Sequence, residues 1–302
     1  MSALFKKQVA ILEPYFKRKD LVEICINKEG EILLETNKGK WESKKDAKLT
    51  IEALRMLTKT MATMSGQEFT VTTPMYSGRI PNYNYRIQTN IGAQVESGIA
   101  ISIRIGQSTV YPINSYMDDE KANRLIQLVK EGKTILVCAG TGCGKTTFLN
   151  SLLVHIPLEQ RIITIEDTRE LIVPHHNVVN MLKSKTGTDV AKLGYADFIN
   201  ACMRMRPDRI LLGEIDIENS MIFLNLANSG HSGSISTIHA YTPEEAMNKL
   251  CLNASLSGAQ GASREDVMEY AKSAVDVYVS LTKEIIDGNR VFSAQIFEVG
   301  VD

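Results

Sequence analysis

Residues 134–147, TILVCAGTGCGKTT, join a short apolar run to a glycine-rich turn and then to a sequence that favours a helix. Gly140, Gly142 and Gly144 allow the backbone to curl so that successive N–H groups point into one small volume. A helix that follows directly aims its N-terminus at the same volume, which favours an anion there. The stretch is therefore typical of a P-loop, the turn between a strand and a helix that binds nucleotide phosphates.

The loop predicts ATP and Mg²⁺ as cofactors, because Lys145 can reach the β and γ phosphates and Thr146 can offer its hydroxyl to the metal. The expected nucleotide-binding residues of the loop are Ala139, Gly140, Thr141, Gly142, Cys143, Gly144, Lys145, Thr146 and Thr147. Ala139 stands where the strict pattern has glycine, and its small side chain fits if its backbone angles are ordinary. A dinucleotide fingerprint is excluded, since it needs a glycine at position 145.

The composition is that of an ordinary globular protein. The chain has 302 residues, 44% apolar and 23% charged, with a formal net charge of −1, so overall charge favours neither nucleic acid nor membrane. Residues 1–117 carry 16 Lys and Arg against 11 Asp and Glu, whereas residues 118–302 carry 18 against 24. Five cysteines without a CxxC pair favour reduced thiols in a cytosolic protein. With no signal-peptide core and no 18-residue apolar run, we expect a protein inside the cell and at most peripheral at a membrane.

Two domains are expected. Residues 1–105 mix helical patterns with short strands, and the spacing of LVEICIN (21–27) and EILLET (31–36) predicts a hairpin. Residues 106–117 contain glycine and proline, lack periodicity, and are interpreted as a linker. In residues 118–302, predicted helices alternate with the apolar runs TILVCA, RIITIE, RILLGE and SISTIH. This alternation predicts an α/β domain with a mostly parallel sheet.

Acidic residues follow two of these runs: Glu166 and Asp167 after RIITI, and Glu214 after RILLG. The carboxyl ends of parallel strands share one edge, so we expect these acids beside the P-loop. One carboxylate can hold Mg²⁺ through water there, and another can orient or deprotonate the attacking water. The sequence does not say which does which. Helix capping is the alternative for Glu166 and Asp167, and a surface position in a turn is the alternative for Glu214.

Two histidines bracket GHSGSISTIHA, residues 230–240. A zinc site is disfavoured because no further ligands stand at a recognised spacing. The strand-like SISTIH carries His239 to the predicted carboxyl edge, whereas His231 precedes the strand and is expected at a subunit boundary. We expect both to sense or position phosphate, with His239 nearer to the chemistry. The expected catalytic residues are thus Lys145, Glu166, Glu214 and His239, with Thr146 and Glu214 as ligands of Mg²⁺, the latter through water.

Four signatures stand in the order found in the secretion ATPase superfamily: AGTGCGKTT, RIITIEDTREL, RMRPDRILLGEI and GHSGSISTIHA. The sequence resembles the hexameric traffic ATPases of type IV secretion and of related conjugation or DNA-uptake machines. The resemblance is strong over residues 95–255 and loose over the first ninety residues. It implies a RecA-like C-terminal domain, a smaller N-terminal α+β domain, and a homohexameric ring with ATP at the cleft between domains.

The resemblance also implies arginines from the N-terminal half that reach the nucleotide phosphates. Arg86 and Arg104 occupy the matching segments, although both are otherwise interpretable as solvated strand residues. Where the family usually has an arginine after Gly-Glu-hydrophobic, this chain has Asp216. One of the nearby arginines (Arg204, Arg206, Arg209) replaces it, or that role is dispensable in this chain.

The expected mechanism is ATP-driven closure of the N-terminal domain onto the RecA-like domain through Arg86 and Arg104. The expected partners are inner-membrane components of a secretion or DNA-uptake machine. The basic segments Lys17–Lys19 and Lys44–Lys45 face an acidic membrane or partner, or are simply solvated. A motor acting on nucleic acid is the first alternative, disfavoured by the acidic C-terminal half, and a slow nucleotide-dependent assembly switch is the second.

Overall fold

The computed structural model describes residues 3–83, 85–106, 110–183, 190–257, 263–286 and 289–300. Within these residues the chain divides into two compact units. The first comprises residues 3–106 together with 167–169, Lys183 and 190–193, and the second comprises the remainder. Residues 107–109 of the predicted linker lie outside the described part of the chain. The domain boundaries inferred from sequence stay a prediction.

The described part of the first unit contains a six-stranded sheet in which every neighbouring pair is antiparallel. Its elements are α1 (Ala3–Val9), α2 (Glu13–Phe16), β1 (Leu21–Lys28), β2 (Glu31–Thr36), β3 (Trp41–Lys45), α3 (Ile51–Met64), β4 (Met75–Arg79), β5 (Tyr85–Ile91) and β6 (Ile99–Ile105). The strand order is β3-β2-β1-β6-β5-β4. The hairpin predicted from LVEICIN and EILLET is present as β1 and β2, which turn at Gly30 with φ 74°.

The two faces of this sheet differ in polarity because strand side chains alternate between them. On β5, Ile87, Thr89 and Ile91 are buried, and the isoleucines belong to the core to which α1 and α3 also contribute. The intervening residues Arg86 and Gln88 are partly exposed on the opposite face. One face thus carries the core of the unit, and the other is available for polar contacts.

The second unit alternates helices and strands as the sequence predicts. Its elements are α4 (Asp119–Lys130), β7 (Ile135–Cys138), α5 (Lys145–Leu153), β8 (Ile162–Glu166), β9 (Val178–Leu182), α6 (Tyr195–Arg204), β10 (Arg209–Leu212), α7 (Ser220–Asn228), β11 (Ile235–Ile238), α8 (Pro243–Ser257), α9 (Arg264–Ala274), β12 (Val277–Ile286) and β13 (Asn289–Glu298). Asp118 begins α4 by accepting a hydrogen bond from the Lys121 backbone N–H.

The strands of the second unit form two ladders, β10-β8-β9 and β11-β7-β12-β13. All pairs are parallel except β12 with β13. A parallel bridge between Ile215 and Ile238 joins the two ladders, and the Ile215 N–H donates to the Thr237 carbonyl at 2.7 Å. The carboxyl ends of β8, β10, β11 and β7 therefore lie along one edge.

Helices cover both faces of this sheet, because successive residues of one strand enter different cores. On β7, Leu136 and Cys138 pack with α6 to α9, whereas Ile135 and Val137 pack with α4 and α5. Tyr116 of the predicted linker is buried in the second of these cores. This three-layer arrangement, preceded by a smaller α+β unit, is the RecA-like P-loop fold that the resemblance implies.

Within the described ranges, no helix is long and apolar enough to cross a membrane.

Phe148 is fully buried in α5, with its ring centroid 4.9 Å from that of Tyr116. We predict that Phe148→Ala lowers the free energy of unfolding by about 3–5 kcal/mol, because it leaves a cavity between α5 and the sheet. Leu158→Ala is the matched control, since that side chain is 63% exposed. Urea denaturation followed by circular dichroism measures both, and equal losses for the two variants would contradict the assigned core.

Candidate nucleotide-binding site

The P-loop has the backbone that its sequence predicts. β7 ends at Cys138 and α5 begins at Lys145, and between them Gly142 and Gly144 have φ angles of 71° and 75°. These positive angles favour glycine, because a Cβ would clash with the neighbouring carbonyl. Ala139 does not adopt a positive φ, and its methyl is buried in the core beside β7. Alanine therefore fits where the strict pattern has glycine.

Lys145 folds back over this loop. Its Nζ lies 3.3 Å from the Ala139 carbonyl oxygen, 3.2 Å from that of Gly140 and 3.0 Å from Nδ1 of His239. An ammonium group only donates hydrogen bonds, so Nδ1 of His239 is the acceptor. The P-loop lysine and one histidine of the GHSGSISTIHA segment are thus in direct contact.

The other ring nitrogen of His239 contacts a carboxylate. Nε2 lies 2.8 Å from Oε1 of Glu214. With Nδ1 accepting from Lys145, Nε2 carries the proton and donates it to Glu214, which defines the Nε2–H tautomer of a neutral imidazole. A continuous hydrogen-bonded chain therefore runs from Lys145 through His239 to Glu214.

Hydrogen bonds from side chains to backbone carbonyls hold His239 and Glu214 next to each other. The Thr237 hydroxyl donates to the Gly213 carbonyl at 3.0 Å, which ties the end of β11 to the residue before Glu214. Nζ of Lys249 donates to the His239 carbonyl at 2.8 Å. The two side chains are therefore fixed by the sheet edge rather than by flexible loops.

Glu166 is placed differently. It is buried at the end of β8, and its Oε1 accepts hydrogen bonds from the backbone N–H groups of Glu170 and Leu171 at 2.7 and 2.8 Å. A carboxylate in this position organises the turn after its strand. No helix begins in the described residues between β8 and β9, so the helix-capping alternative does not describe it. Because a Cβ on Gly213 would lie only 3.2 Å from Cγ of Glu166, its stem packs against the end of β10. A catalytic role for Glu166 stays a prediction.

Three arginines share the polar face of the N-terminal sheet. The strand register places Arg86 directly opposite Arg104 on one side and Arg79 on the other. Side chains opposite each other in antiparallel strands have Cβ atoms about 5 Å apart, and like charges in such pairs are destabilising. Arg86 donates to Oδ2 of Asp167 at 2.6 Å, within the same compact unit. The same register places Glu23 opposite Arg104, so carboxylates lie beside two of the three arginines.

Sequence reasoning found Arg86 and Arg104 but missed Arg79. Nε of Arg79 donates to the Tyr83 carbonyl at 2.8 Å, which orients the guanidinium. The signal was the register: with a hairpin recognised around residues 80–84, the opposite position to Arg86 is Arg79. The pattern of short strands in this stretch did not identify β4.

His231 lies at the amino end of β11, at the opposite end of the strand from His239. The structure does not bring it to the P-loop of its own chain. Its expected contact with phosphate stays a prediction that a neighbouring subunit has to satisfy.

Arg209 also belongs to the amino edge, at the start of β10, and is buried. Its Nε donates to Oε1 of Gln160 at 2.7 Å, and burial lowers the pKa of its guanidinium. Gly233 packs closely on it, since a Cβ there would lie 3.2 Å from three Arg209 atoms. Arg209 therefore supports the start of the histidine segment and does not replace the family arginine beside the P-loop of its own chain.

Asp216 has a local structural role. Its Oδ1 accepts from the Glu218 backbone N–H at 3.0 Å, and its carbonyl accepts from the backbone N–H and hydroxyl of Ser220. These bonds close the turn that starts α7. Arg204 and Arg206 are exposed at and just after the end of α6.

The remaining loop residues match nucleotide binding with a divalent cation. Thr141 is exposed at the turn, and Thr146 and Thr147 are partly exposed in the first turn of α5. Cys143 packs against the core beside the loop, as expected of a small replacement for serine. The hydroxyl of Thr146 and the carboxylate of Glu214, which is 28% exposed, offer the oxygen ligands that Mg²⁺ prefers. Among the described residues, no three His, Cys, Asp or Glu side chains cluster as a metal site.

Comparison with known proteins places the chain among secretion ATPases. The family described as Type II/IV secretion system protein matches residues 19–255. The Type IV secretion system protein VirB11 of Bartonella quintana (strain Toulouse) is 33% identical over 311 residues, which cover 89% of this chain and 87% of that protein.

Solved structures give the same assignment. The crystal structure of the VirB11 ATPase from the Brucella suis type IV secretion system in complex with sulphate is similar with a TM-score of 0.52 and 28% identity, covering 98% of this chain and 94% of that one. The Legionella pneumophila ATPase DotB has a TM-score of 0.67 at 19% identity, covering 98% and 79%, and shows the fold alone. With the P-loop geometry in place and the family match spanning most of the sequence, the chain belongs to the Type II/IV secretion system protein family and is an ATPase of its type IV secretion branch.

Proposed function

We propose that this ATPase is a cytoplasmic motor that works as a homohexameric ring and powers substrate transfer or pilus and channel assembly in a type IV secretion or related DNA-uptake system. The observation that carries the proposal is the chain from Lys145 through His239 to Glu214. It connects the loop that binds phosphate to the sheet edge, so the arrival or loss of phosphate changes the contacts of both other residues.

The proposed response to ATP begins at Lys145. Its ammonium now rests on two loop carbonyls and on His239, and nucleotide phosphates offer it stronger, charged acceptors. When Lys145 moves to the phosphates, Nδ1 of His239 no longer accepts from the lysine and can accept a hydrogen bond from the attacking water. Thr146 and Glu214 would hold Mg²⁺, which would neutralise charge on the phosphate oxygens. Glu214 also keeps His239 oriented through Nε2.

The proposed work step is closure of the N-terminal unit onto the nucleotide. Arg86 and Arg104 supply guanidinium groups to phosphate oxygens, and Arg79 extends the row. Contact with the γ-phosphate makes the closed state bind ATP better than ADP. Hydrolysis therefore destabilises the closed state. In the absence of nucleotide, the Asp167 carboxylate pairs with Arg86 and therefore competes with phosphate for its guanidinium.

Proposed partners are inner-membrane components of the secretion machine, with the ring peripheral at the inner face of the membrane. The basic N-terminal segments support this less than the sequence alone suggests, because Arg18 pairs with both Asp20 and Glu42. A peripheral contact with acidic lipid therefore rests on the exposed lysines Lys17, Lys19, Lys44 and Lys45.

Two other functions have less support. Direct action on nucleic acid is disfavoured by the acidic C-terminal half, which carries 18 Lys and Arg against 24 Asp and Glu. A slow assembly switch was suggested by Asp216 in place of an arginine. Since Asp216 closes the turn before α7, it does not by itself argue for slow turnover.

Steady-state ATP hydrolysis, measured together with mass by light scattering, tests the proposed motor. We predict a six-subunit mass with ATP, turnover that is independent of added DNA, and loss of turnover in Lys145→Ala, because the lysine contacts the transferred phosphate. Strong stimulation by DNA would favour the nucleic-acid motor, and negligible wild-type turnover would favour the switch.

His239→Ala tests the hydrogen-bonded chain from Lys145 through His239 to Glu214. We predict a fall in kcat of about 10²-fold, since a group that positions the reacting water or phosphate is lost. Affinity for ATP should stay the same or rise, because Lys145 no longer has to leave His239. His176→Ala is the control, as that histidine is exposed and away from the P-loop edge. Unchanged kcat in His239→Ala would remove the histidine from the mechanism.

The arginine row is tested by Arg79→Gln, Arg86→Gln and Arg104→Gln, with Arg55→Gln on the exposed face of α3 as the control. We predict that each row variant reduces the preference for ATP over ADP by about tenfold, because one charged contact to phosphate is removed. Nucleotide affinity from isothermal titration calorimetry gives the ratio. A ratio equal to that of the control variant at all three positions would show that the row does not meet the nucleotide.

A further inference from the structure

Each of the three P-loop glycines lies against a side chain from a later part of the chain. A Cβ built on Gly140 would lie 2.7 Å from Cε1 of Tyr241. The corresponding distances are 3.7 Å from Gly142 to Nζ of Lys283 and 3.7 Å from Gly144 to Cε1 of Phe292. These side chains therefore flank the three glycines, which are the most flexible positions of the loop.

The hairpin of β12 and β13 is placed to make two of these contacts. β12 runs parallel to β7, with Ser280 opposite Cys138, so residues 281–286 extend past the point where β7 ends and the P-loop begins. Lys283 and Phe292 are directly opposite each other in the hairpin register and so project from the same face. That face turns toward the loop.

The base of the hairpin is fixed in the core. Leu281 and Ala294, the cross-strand pair nearest to Lys283 and Phe292 on the same face, are buried with residues of β7 and α5. The Phe292 side chain is partly buried and packs against this core. The hairpin is therefore anchored to the structure that the P-loop joins, and its outer half stands beside the loop.

Hydrogen bonds connect Lys283 to the loop and hold the backbone of Tyr241 in place. Nζ of Lys283 donates to the Gly142 carbonyl at 3.4 Å. The hydroxyl of Ser280 donates to the Tyr241 carbonyl at 2.7 Å, and the Tyr241 N–H donates to Oε2 of Glu245 at 2.8 Å. Because carbonyls of a P-loop point away from the bound phosphates while its N–H groups point inward, Lys283 contacts the outer side of the loop.

A loop with three glycines has many accessible conformations, and ordering it on binding costs free energy. If only part of the population has the binding conformation, the apparent dissociation constant rises in proportion. Side chains that pack on the outer side of the loop before nucleotide arrives reduce this cost.

We propose that Lys283 and Phe292 are positioning residues that hold the P-loop in its phosphate-binding conformation, with Tyr241 supporting the same loop at Gly140. Their contribution is to nucleotide affinity and not to the chemical step, because neither side chain lies on the inner side of the loop. The proposal concerns the ATPase activity itself and is independent of hexamer formation, domain closure and the arginine row.

Phe292→Ala and Lys283→Met test the proposal, the second because it keeps the stem of the side chain and removes the donor. We predict that each raises KM for ATP and Kd for ADP by about fivefold or more, with kcat within about twofold, as expected when the fraction of competent loop falls. Lys283→Arg, which keeps a donor, should restore most of the affinity. Val291→Ala is the control, since Val291 precedes Phe292 on the opposite face and is 43% exposed.

Thermal unfolding separates positioning from general damage, and Phe292→Leu serves in place of Phe292→Ala if the alanine variant does not fold. Unchanged KM and Kd in folded Phe292 and Lys283 variants would overturn the proposal. A change confined to Lys283→Met, removed by high salt, would show a direct charge effect on the nucleotide and would also overturn it. A fall in kcat at constant KM would assign the residues to chemistry instead.

Discussion

The site depends on the parallel pairing of β7 with a neighbour on each side. Ile135 is opposite Ile235 of β11 and opposite Val277 of β12, so the three strands start at the same level. β7 and β11 are four residues long and end together, while β12 continues. The P-loop therefore leaves the sheet between His239, which follows β11, and the hairpin that extends from β12. Most contacts that define the nucleotide site in this unit follow from that register.

Hydrogen bonds then distinguish the roles of the side chains at the carboxyl edge of the parallel sheet. Lys145, His239 and Glu214 form a chain in which each group has a defined donor or acceptor role. Glu166 ends a neighbouring strand of the same sheet, but backbone N–H groups occupy one of its oxygens. Two carboxylates that look equivalent in sequence thus have different surroundings: one meets a titratable side chain at the P-loop, and the other organises a turn.

Local patterns predicted much of this arrangement. The P-loop, the β1–β2 hairpin and the parallel strands follow from short-range rules of turn chemistry and hydrophobic pattern, and all are present. The contact between His239 and the P-loop edge was predictable because parallel strands share a carboxyl edge. Arg79, Lys283 and Phe292 were not identified, since their relevance depends on the exact cross-strand register of two hairpins, which the pattern of short strands did not fix.

The sequence by itself determined that the chain has a P-loop α/β unit, that acids and a histidine meet at its edge, and which family it resembles. These features depend on residues close together in the chain or on the single rule that parallel strands end alike. Tertiary structure alone decided that Arg209 supports the amino edge through Gln160, that Asp167 pairs with Arg86, and that Arg104 lies opposite Arg86. The physical reason is that the partner of a polar group depends on packing between elements that are distant in the chain. Composition and hydrophobic periodicity describe local structure and do not determine that packing.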